Sequence, residues 1–187
     1  MKAEPIRDKE KIREIRNSLS GRNKFLFELG LFTGLRISDL LKLRVKDVKN
    51  KERIHIREEK TGKDKKAPIN ETCRKIIDAY IENKNDEEYL FQSRKGENKP
   101  ISRVQAYRIL KRAGEEVGLE INIGTHTLRK SFGYHHYQKY KDVALLQTIF
   151  NHNSPGQTLD YIGINDDLVK KSIDEFNPFE NENLQEK

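Results

Sequence analysis

Six side chains in this sequence could together cleave and rejoin a phosphodiester. They are two arginines, two histidines, one lysine and one tyrosine: Arg36, Lys60, His126, Arg129, His152 and Tyr161. Guanidinium and imidazole groups can stabilise the negative charge that develops on the oxygens of a phosphorus under attack. A tyrosine can be the nucleophile when its phenol, of pKa about 10, is relieved of its proton. Because no carboxylates cluster around them, these residues suit phosphoryl transfer without a metal ion.

Arg36 follows a glycine and Lys60 precedes one, and both segments are predicted to contain a turn. Arg36 comes directly after an apolar run and Gly34, and its planar guanidinium suits bidentate contact with a phosphate. The alternative is a surface arginine paired with Asp39 on the same helix. Lys60 precedes Thr61 and Gly62 at the tip of a predicted hairpin, where it is either a proton donor or a solvated surface lysine.

The two histidines each precede a residue with which they could act. His126 and Arg129 are three residues apart, so a helix would direct both at one anion. Their structural alternative is a capping histidine beside a surface arginine. His152 lies in a predicted turn nine residues before Tyr161, and the turn could bring the imidazole near the phenol. The alternative for Tyr161 is a half-buried packing residue on an amphipathic helix.

The elements that must position these residues are mainly helical. Apolar periodicity and capping residues predict helices around 12–19, from Asn23 through 25–32, at 37–43, from Asn70 to 81, from Ser102 to Gly118, from Thr125 onward, at 142–150 and from Pro155 through Tyr161. Short strands are predicted at 54–56 and 67–69, which form a β-hairpin, and at 89–91. The sequence therefore predicts an α+β fold, mainly α-helical, with one small antiparallel sheet.

Charge and composition narrow the function further. The chain has 187 residues and a net charge of +7, and its acidic groups concentrate at the end: residues 162–187 contain seven acidic and three basic side chains. The preceding 161 residues therefore contain 34 basic and 23 acidic groups, and this excess indicates either a surface that binds DNA or RNA or only a solvated basic surface. A single cysteine, Cys73, excludes an intramolecular disulfide. No apolar run is long enough for a membrane span, and the expected location is the cytoplasm.

Four motifs in order resemble those of one known family. The segments 33–36 (Thr-Gly-Leu-Arg), 60–62 (Lys-Thr-Gly), 126–129 (His-Thr-Leu-Arg) and 152–161 (His to Tyr) are similar to the catalytic domain of tyrosine recombinases of the phage and transposon integrase type. The resemblance covers about residues 6–165. It implies the tyrosine-recombinase catalytic fold, with residues 1–165 as the catalytic domain and 166–187 as an acidic tail that docks within the chain or on a neighbouring subunit.

The resemblance also implies a reaction and a role for each candidate. Tyr161 would attack a DNA phosphodiester to give a 3′-phosphotyrosine, and Arg36 and Arg129 would clamp the phosphate. The other roles are general acid for Lys60, proton transfer for His126 and hydrogen-bond donation for His152. No cofactor and no metal is implied. The partners implied are double-stranded DNA and further copies of the chain, as a tetramer on DNA associated with the nucleoid.

Three functions remain open at this point. The leading one is a site-specific recombinase or integrase, and the alternatives are a catalytically silent DNA-binding relative and an enzyme like the type IB topoisomerases. Family members usually have an upstream core-binding domain of roughly one hundred residues. Either an excised domain or a naturally short protein would explain the start of this sequence.

Overall fold

The chain forms eight α-helices and one β-hairpin among the residues that the computed structural model describes, which are 2–58, 62, 64–164, 170 and 172–177. The elements are α1 (Lys9–Ser18), α2 (Gly21–Thr33), α3 (Ile37–Leu41), β1 (Arg53–Arg57), β2 (Asp64–Pro68), α4 (Glu71–Ile81), α5 (Arg103–Glu116), α6 (Thr127–Tyr140), α7 (Val143–Phe150) and α8 (Pro155–Ile162). The predicted mainly helical fold with a small antiparallel sheet is confirmed. In this part of the chain no helix is long and apolar enough to cross a bilayer.

The hairpin has the alternation of a sheet with one buried face. Strands β1 and β2 are antiparallel, with Ile54 opposite Ala67 and Ile56 opposite Lys65. Ile54 and Ala67 are buried in the main core, whereas the intervening residues of β2 are exposed. Because side chains alternate between the faces of a strand, every second residue of β2 points into the protein.

The main core lies between α2, α4 and the hairpin, and α6 crosses over α2. Phe25 of α2 stacks on Tyr80 of α4, with ring centroids 3.9 Å apart. Gly30 lets α6 approach α2 closely, since a Cβ there would lie 2.5 Å from a methyl carbon of Leu128. The packing of α2 on α6 places the C-terminal end of α2 beside the N-terminal half of α6.

Two predicted helix starts and one predicted strand are wrong, and the second hairpin strand, predicted at 67–69, is Asp64–Pro68. Helix α2 begins at Gly21 after Ser20, because the backbone N–H of Asn23 already donates to the Ser20 carbonyl in the first turn. Helix α6 begins at Thr127, since residues 124–127 form a tight turn closed by the Thr127 N–H and the Gly124 carbonyl. The predicted strand at 89–91 is an isolated bridge between Arg44 and Tyr89 with no continuing ladder among the described residues.

The end of the chain is described only in part. Residues 165–169, 171 and 178–187 lie outside the described residues, so the domain boundary at 165 and most of the predicted tail are not addressed by the structure. In the described portion, Ile173 and Phe176 expose 69% and 72% of their surface. Docking of the tail therefore remains a prediction.

Candidate active site

Arg129 lies at the centre of the candidate site and joins two distant segments. It is on the first turn of α6 and is 2% exposed. Its Nη1 donates to the carbonyl of Gly34 at 2.7 Å, and its Nη2 donates to the carbonyl of Phe150 at 3.0 Å. Burial lowers its pKa, although an arginine remains charged at neutral pH. One guanidinium thus holds the ends of α2 and α7 at the same point, which excludes the surface-arginine alternative.

Arg36 is brought to the same place by the turn that ends α2. Gly34 caps α2 with φ of 58°, a left-handed conformation that favours glycine. Two residues later, Arg36 Nη1 forms an ion pair with Glu58 Oε1 at 2.5 Å. The Arg36 side chain is 13% exposed and the Glu58 side chain is fully buried. Arg36 is therefore not the surface residue of the alternative interpretation, and Asp39 is itself buried at 3% exposure.

The tyrosine and the first histidine are in direct contact. His126 Nδ1 lies 3.0 Å from the hydroxyl oxygen of Tyr161, across 35 residues of sequence. His126 occupies the N-cap position of α6 and is exposed, whereas Tyr161 lies on α8 and is partly buried. Burial raises the pKa of the Tyr161 phenol, and the positive charge of Arg129 opposes that rise. The phenol is thus protonated at neutral pH and needs a proton acceptor to become a nucleophile.

His152 lies on the other side of the same phenol. The turn between α7 and α8 places its ring 5.1 Å from that of Tyr161, edge to face. Its Nδ1 is 3.1 Å from Thr158 Oγ1. Burial, with the nearby cations Arg129 and Arg36, lowers the pKa of His152 to about 4. The imidazole is therefore neutral at physiological pH, and the Thr158 contact leaves its Nε2 available to a ligand.

Helix α8, which carries Tyr161, begins at Pro155, as the local sequence predicted. Ser154 caps the helix by accepting from the backbone N–H of Gln157, and Pro155 occupies its first turn. Phe150 packs against the Tyr161 ring edge to face, with centroids 5.5 Å apart. The nucleophile candidate is therefore held by packing as well as by its hydrogen bond.

Lys60 lies outside the described residues, so its predicted place beside the phosphate is not addressed by the structure. Hairpin residues before and after Lys60 are described. Glu58, which follows β1, and Lys65 of β2 are both buried. The other five candidates, in contrast, form one cluster. Arg129 donates a hydrogen bond to the Gly34 carbonyl two residues before Arg36, and its guanidinium carbon lies 6.0 Å from the centroid of the Tyr161 ring, which also contacts His126 and His152.

Sequence reasoning assigned no role to three buried charged residues of this cluster. Glu58 pairs with Arg36, and Lys130 Nζ lies 5.0 Å from the centroid of the Tyr161 ring. Lys65 has its charged end among Arg129, Glu58 and Arg36. The alternation of buried and exposed residues along β2 could have identified Lys65 as an inward-facing residue, because it lies two residues before the buried Ala67.

The described part of the chain contains no grouping of side chains that could hold a metal ion. No three His, Cys, Asp or Glu side chains come together there. Outside the cluster, His135 Nε2 lies 2.9 Å from the carbonyl oxygen of Ile6.

Comparison with known proteins places this fold and site in one class. Residues 7–167 match the Phage integrase family, so the chain belongs to that family. The class predicted from the motifs, a tyrosine recombinase, is confirmed at the level of family and fold, and a type IB topoisomerase is not favoured.

Particular relatives refine this assignment. The chain is 49% identical over 176 residues to the probable integrase/recombinase YoeC of Bacillus subtilis, covering 92% of this chain and 96% of YoeC. It is 30% identical over 163 residues to the tyrosine recombinase XerA of Pyrococcus furiosus, covering 86% of this chain and 56% of that protein. The chain thus spans about half the length of its XerA relative.

Solved structures share the fold. A crystal structure of XerA recombinase superposes with a TM-score of 0.73 at 21% identity, covering 95% of this chain and 67% of that one. A lambda integrase tetramer bound to a Holliday junction superposes with a TM-score of 0.70 at 17% identity, covering 88% of this chain and 49% of that one.

Proposed function

We propose that this chain is a site-specific recombinase or integrase that cuts and rejoins double-stranded DNA through a 3′-phosphotyrosine intermediate. The observation that supports this most directly is the contact of His126 Nδ1 with the Tyr161 hydroxyl at 3.0 Å, beside a buried arginine. A phenol with a proton acceptor on one side and fixed cations on the other is suited to attack phosphorus. Two solved structures of similar fold, of lambda integrase and of the Tn1549 transposon integrase, are described as complexes with DNA.

The nucleophilic step uses the contact between α6 and α8. The Tyr161 oxygen forms a bond to phosphorus while its proton passes to Nδ1 of His126. The bond from phosphorus to the 5′ oxygen breaks, leaving the DNA attached to the enzyme by its 3′ phosphate. Because one phosphodiester replaces another, rejoining needs no external energy source.

The phosphate is held by the two arginines and His152. Arg129 is fixed by two backbone carbonyls and Arg36 by Glu58, so neither guanidinium must reorganise when negative charge develops. His152 can donate from Nε2 when its Nδ1 accepts a hydrogen bond from the Thr158 hydroxyl, at a separation of 3.1 Å. Because His152 is neutral at physiological pH, only one of its ring nitrogens carries a proton, and we assign that proton to Nε2 on the basis of the Thr158 contact.

The leaving group needs a proton, and we assign that role to Lys60. The departing 5′ oxygen of a sugar is strongly basic, so a positioned acid accelerates its loss. Lys60 follows Glu58 by two residues in the sequence, and Glu58 forms an ion pair with Arg36. This role comes from the family resemblance.

Partners and assembly follow from the same proposal. We expect double-stranded DNA at the basic catalytic domain, at the nucleoid in the cytoplasm, and a tetramer on the recombining sites. Residues 166–187, which are net acidic, would dock on a neighbouring subunit or within the chain. The exposed Ile173 and Phe176 in the described part of this tail are consistent with either arrangement.

The decisive experiment traps the covalent intermediate. The full chain is incubated in a chelator with suicide duplexes, nicked so that the released 5′ fragment diffuses away, whose central base pairs are randomised. A denaturant-resistant protein–DNA adduct is expected, and sequencing its DNA identifies the target. Tyr161→Phe should form no adduct, whereas the matched control Tyr140→Phe, at an exposed tyrosine of α6, should behave like the wild type.

The outcomes separate the three functions. Retention of the adduct by Tyr161→Phe would exclude Tyr161 as the nucleophile. Duplex binding without any adduct would indicate a catalytically silent relative. An adduct with relaxation of supercoiled plasmid, but without exchange between two selected sites, would indicate a topoisomerase-like enzyme.

A further inference from the structure

Lys65 is a buried lysine in the candidate site for which the proposed mechanism has no use. It is 7% exposed, and its Nζ has no hydrogen-bond partner among the described residues. A buried ammonium group without a partner is unfavourable by several kcal/mol. Its neighbour Lys66 is exposed and faces the other side of β2. The hairpin therefore directs one of two adjacent lysines into the site.

The charges that surround Lys65 come from every element packed against it. They are Arg36 and Asp39 of α3, Glu58 after β1, Arg129 of α6 and, after α7, the neutral His152. The charges of the two arginines and the two carboxylates cancel. These four groups and a deprotonated Lys65 therefore have no net charge. A bound phosphodiester adds one negative charge, and the transition state adds more. A protonated Lys65 would balance the first of these.

We propose that Lys65 is a positioning residue for the recombination reaction: it becomes an ammonium group when a phosphodiester binds between Arg36 and Arg129, and it then fixes the carboxylate of Glu58, which forms an ion pair with Arg36. This inference rests on the proposed function. Binding of the scissile phosphate is thereby coupled to the uptake of one proton in the buried part of the site.

The electrostatics of the free protein agree with this assignment. Burial, followed by the charge of Arg129, lowers the pKa of Lys65 to about 7, and Glu58 opposes that shift. At neutral pH a large fraction of Lys65 is therefore neutral in the absence of DNA. A phosphate anion nearby favours the charged form and raises the pKa again.

The test uses Lys65→Met, Lys65→Arg and the matched control Lys66→Met in the full chain. The probe is a suicide duplex recovered in the adduct selection described above. Single-turnover cleavage is measured across about pH 6 to 9, which brackets the Lys65 transition. Proton uptake on duplex binding is measured in the Tyr161→Phe background, by calorimetry in two buffers of different ionisation enthalpy.

Lys65→Met should cleave at least about tenfold more slowly, with duplex affinity changed less than about threefold. It should also abolish the proton uptake that the wild type shows near pH 8. Lys65→Arg, which cannot lose its proton, should cleave and should resist the loss of rate at alkaline pH. Lys66→Met should match the wild type in both measurements. A Lys65→Met protein that cleaves at the wild-type rate, or takes up the same proton, would overturn the inference.

Two further readouts keep the result interpretable. If Lys65 has only a structural role, Lys65→Met should lower the melting temperature, whereas removal of a poorly compensated buried amine should leave it unchanged or raise it. In the wild type, carbon-13-labelled lysine should show one side chain with a pKa of about 7, and this pKa should rise when the duplex binds. Absence of such a titration would also overturn the inference. Absence of any adduct in the wild type would instead count against the proposed function.

Discussion

The Nδ1 atom of His126 and the hydroxyl oxygen of Tyr161 lie 3.0 Å apart, although they belong to helices separated by the whole of α7. A neutral imidazole at this distance can accept the phenol proton during attack. We therefore expect His126, and not His152, to accept the proton of the proposed nucleophile.

Removing that acceptor should slow cleavage without preventing it. We expect His126→Ala to lower the single-turnover rate of adduct formation about 10²–10⁴-fold, the usual contribution of a positioned acid or base. The measurement is a time course with the suicide duplex. His55→Ala is the control, because His55 is exposed on the outer face of β1. An unchanged rate in His126→Ala would show that the proton leaves by another route.

The hydroxyl of Thr158 should select the tautomer of His152. Thr158 Oγ1 lies 3.1 Å from His152 Nδ1 and 3.2 Å from the Ser154 carbonyl, and its single proton can serve only one of them. We expect Thr158→Val to reduce the cleavage rate about tenfold, because Nε2 then loses its preference for carrying a proton.

A helical threonine without a histidine contact provides the control for this change. Thr148→Val removes a comparable hydroxyl of α7, which donates to the Ala144 carbonyl at 3.1 Å. If both variants slow cleavage equally, the loss of rate comes from reduced helix stability and not from a changed tautomer of His152. Thr158→Ser, which keeps the hydroxyl, should cleave at nearly the wild-type rate.

The stability of the fold should depend on pH through His152. Burial lowers the pKa of His152 to about 4, whereas an unfolded histidine has a pKa of about 6.5. Between these values the unfolded chain binds more protons, so the stability contributed by neutral His152 is present above about pH 6.5 and is lost as the pH falls. We expect the melting temperature to fall less steeply between pH 6.5 and 4 in His152→Gln. A wild-type slope in that variant would refute the assignment.

Gly34 should be more sensitive to substitution than another left-handed glycine in open space. A Cβ at Gly34 would lie 2.5 Å from the Phe132 ring, whereas one at Gly118 meets nothing within 4 Å. Gly118→Ala should cost about 1–2 kcal/mol of unfolding free energy from its backbone conformation alone. Gly34→Ala should cost about 1–3 kcal/mol more from the clash. Urea denaturation measures both, and equal losses would contradict the packing argument.

Lys60 should be dispensable when the leaving group needs no proton. We expect Lys60→Met to lose most cleavage of an ordinary suicide duplex. With sulfur in place of the bridging 5′ oxygen at the scissile position, a thiolate departs unprotonated, so the rate should approach that of the wild type. Lys66→Met should be normal on both substrates. Failure of the sulfur substrate to restore cleavage would exclude Lys60 as the general acid.

Much of this protein follows from local sequence. Helices with strong caps, such as α8 after Ser154 and Pro155, begin where their capping residues predict, because caps satisfy backbone donors within one turn. The predicted starts of α2 and α6 were wrong. These helices begin at Gly21 and Thr127, where hydrogen bonds of a turn are part of the helix start. The motifs also indicated Arg36, Arg129, His152 and Tyr161 by residue type and spacing.

The amino-acid order by itself therefore determined the helical elements, the basic character of the first 161 residues and the chemical groups available for phosphoryl transfer. Only the tertiary structure decided which groups meet. The hydrogen bond of Arg129 to the Gly34 carbonyl spans 95 residues, and strand pairing alone turns Lys65 inward and Lys66 outward. Such contacts depend on long-range packing and register, which no local propensity specifies.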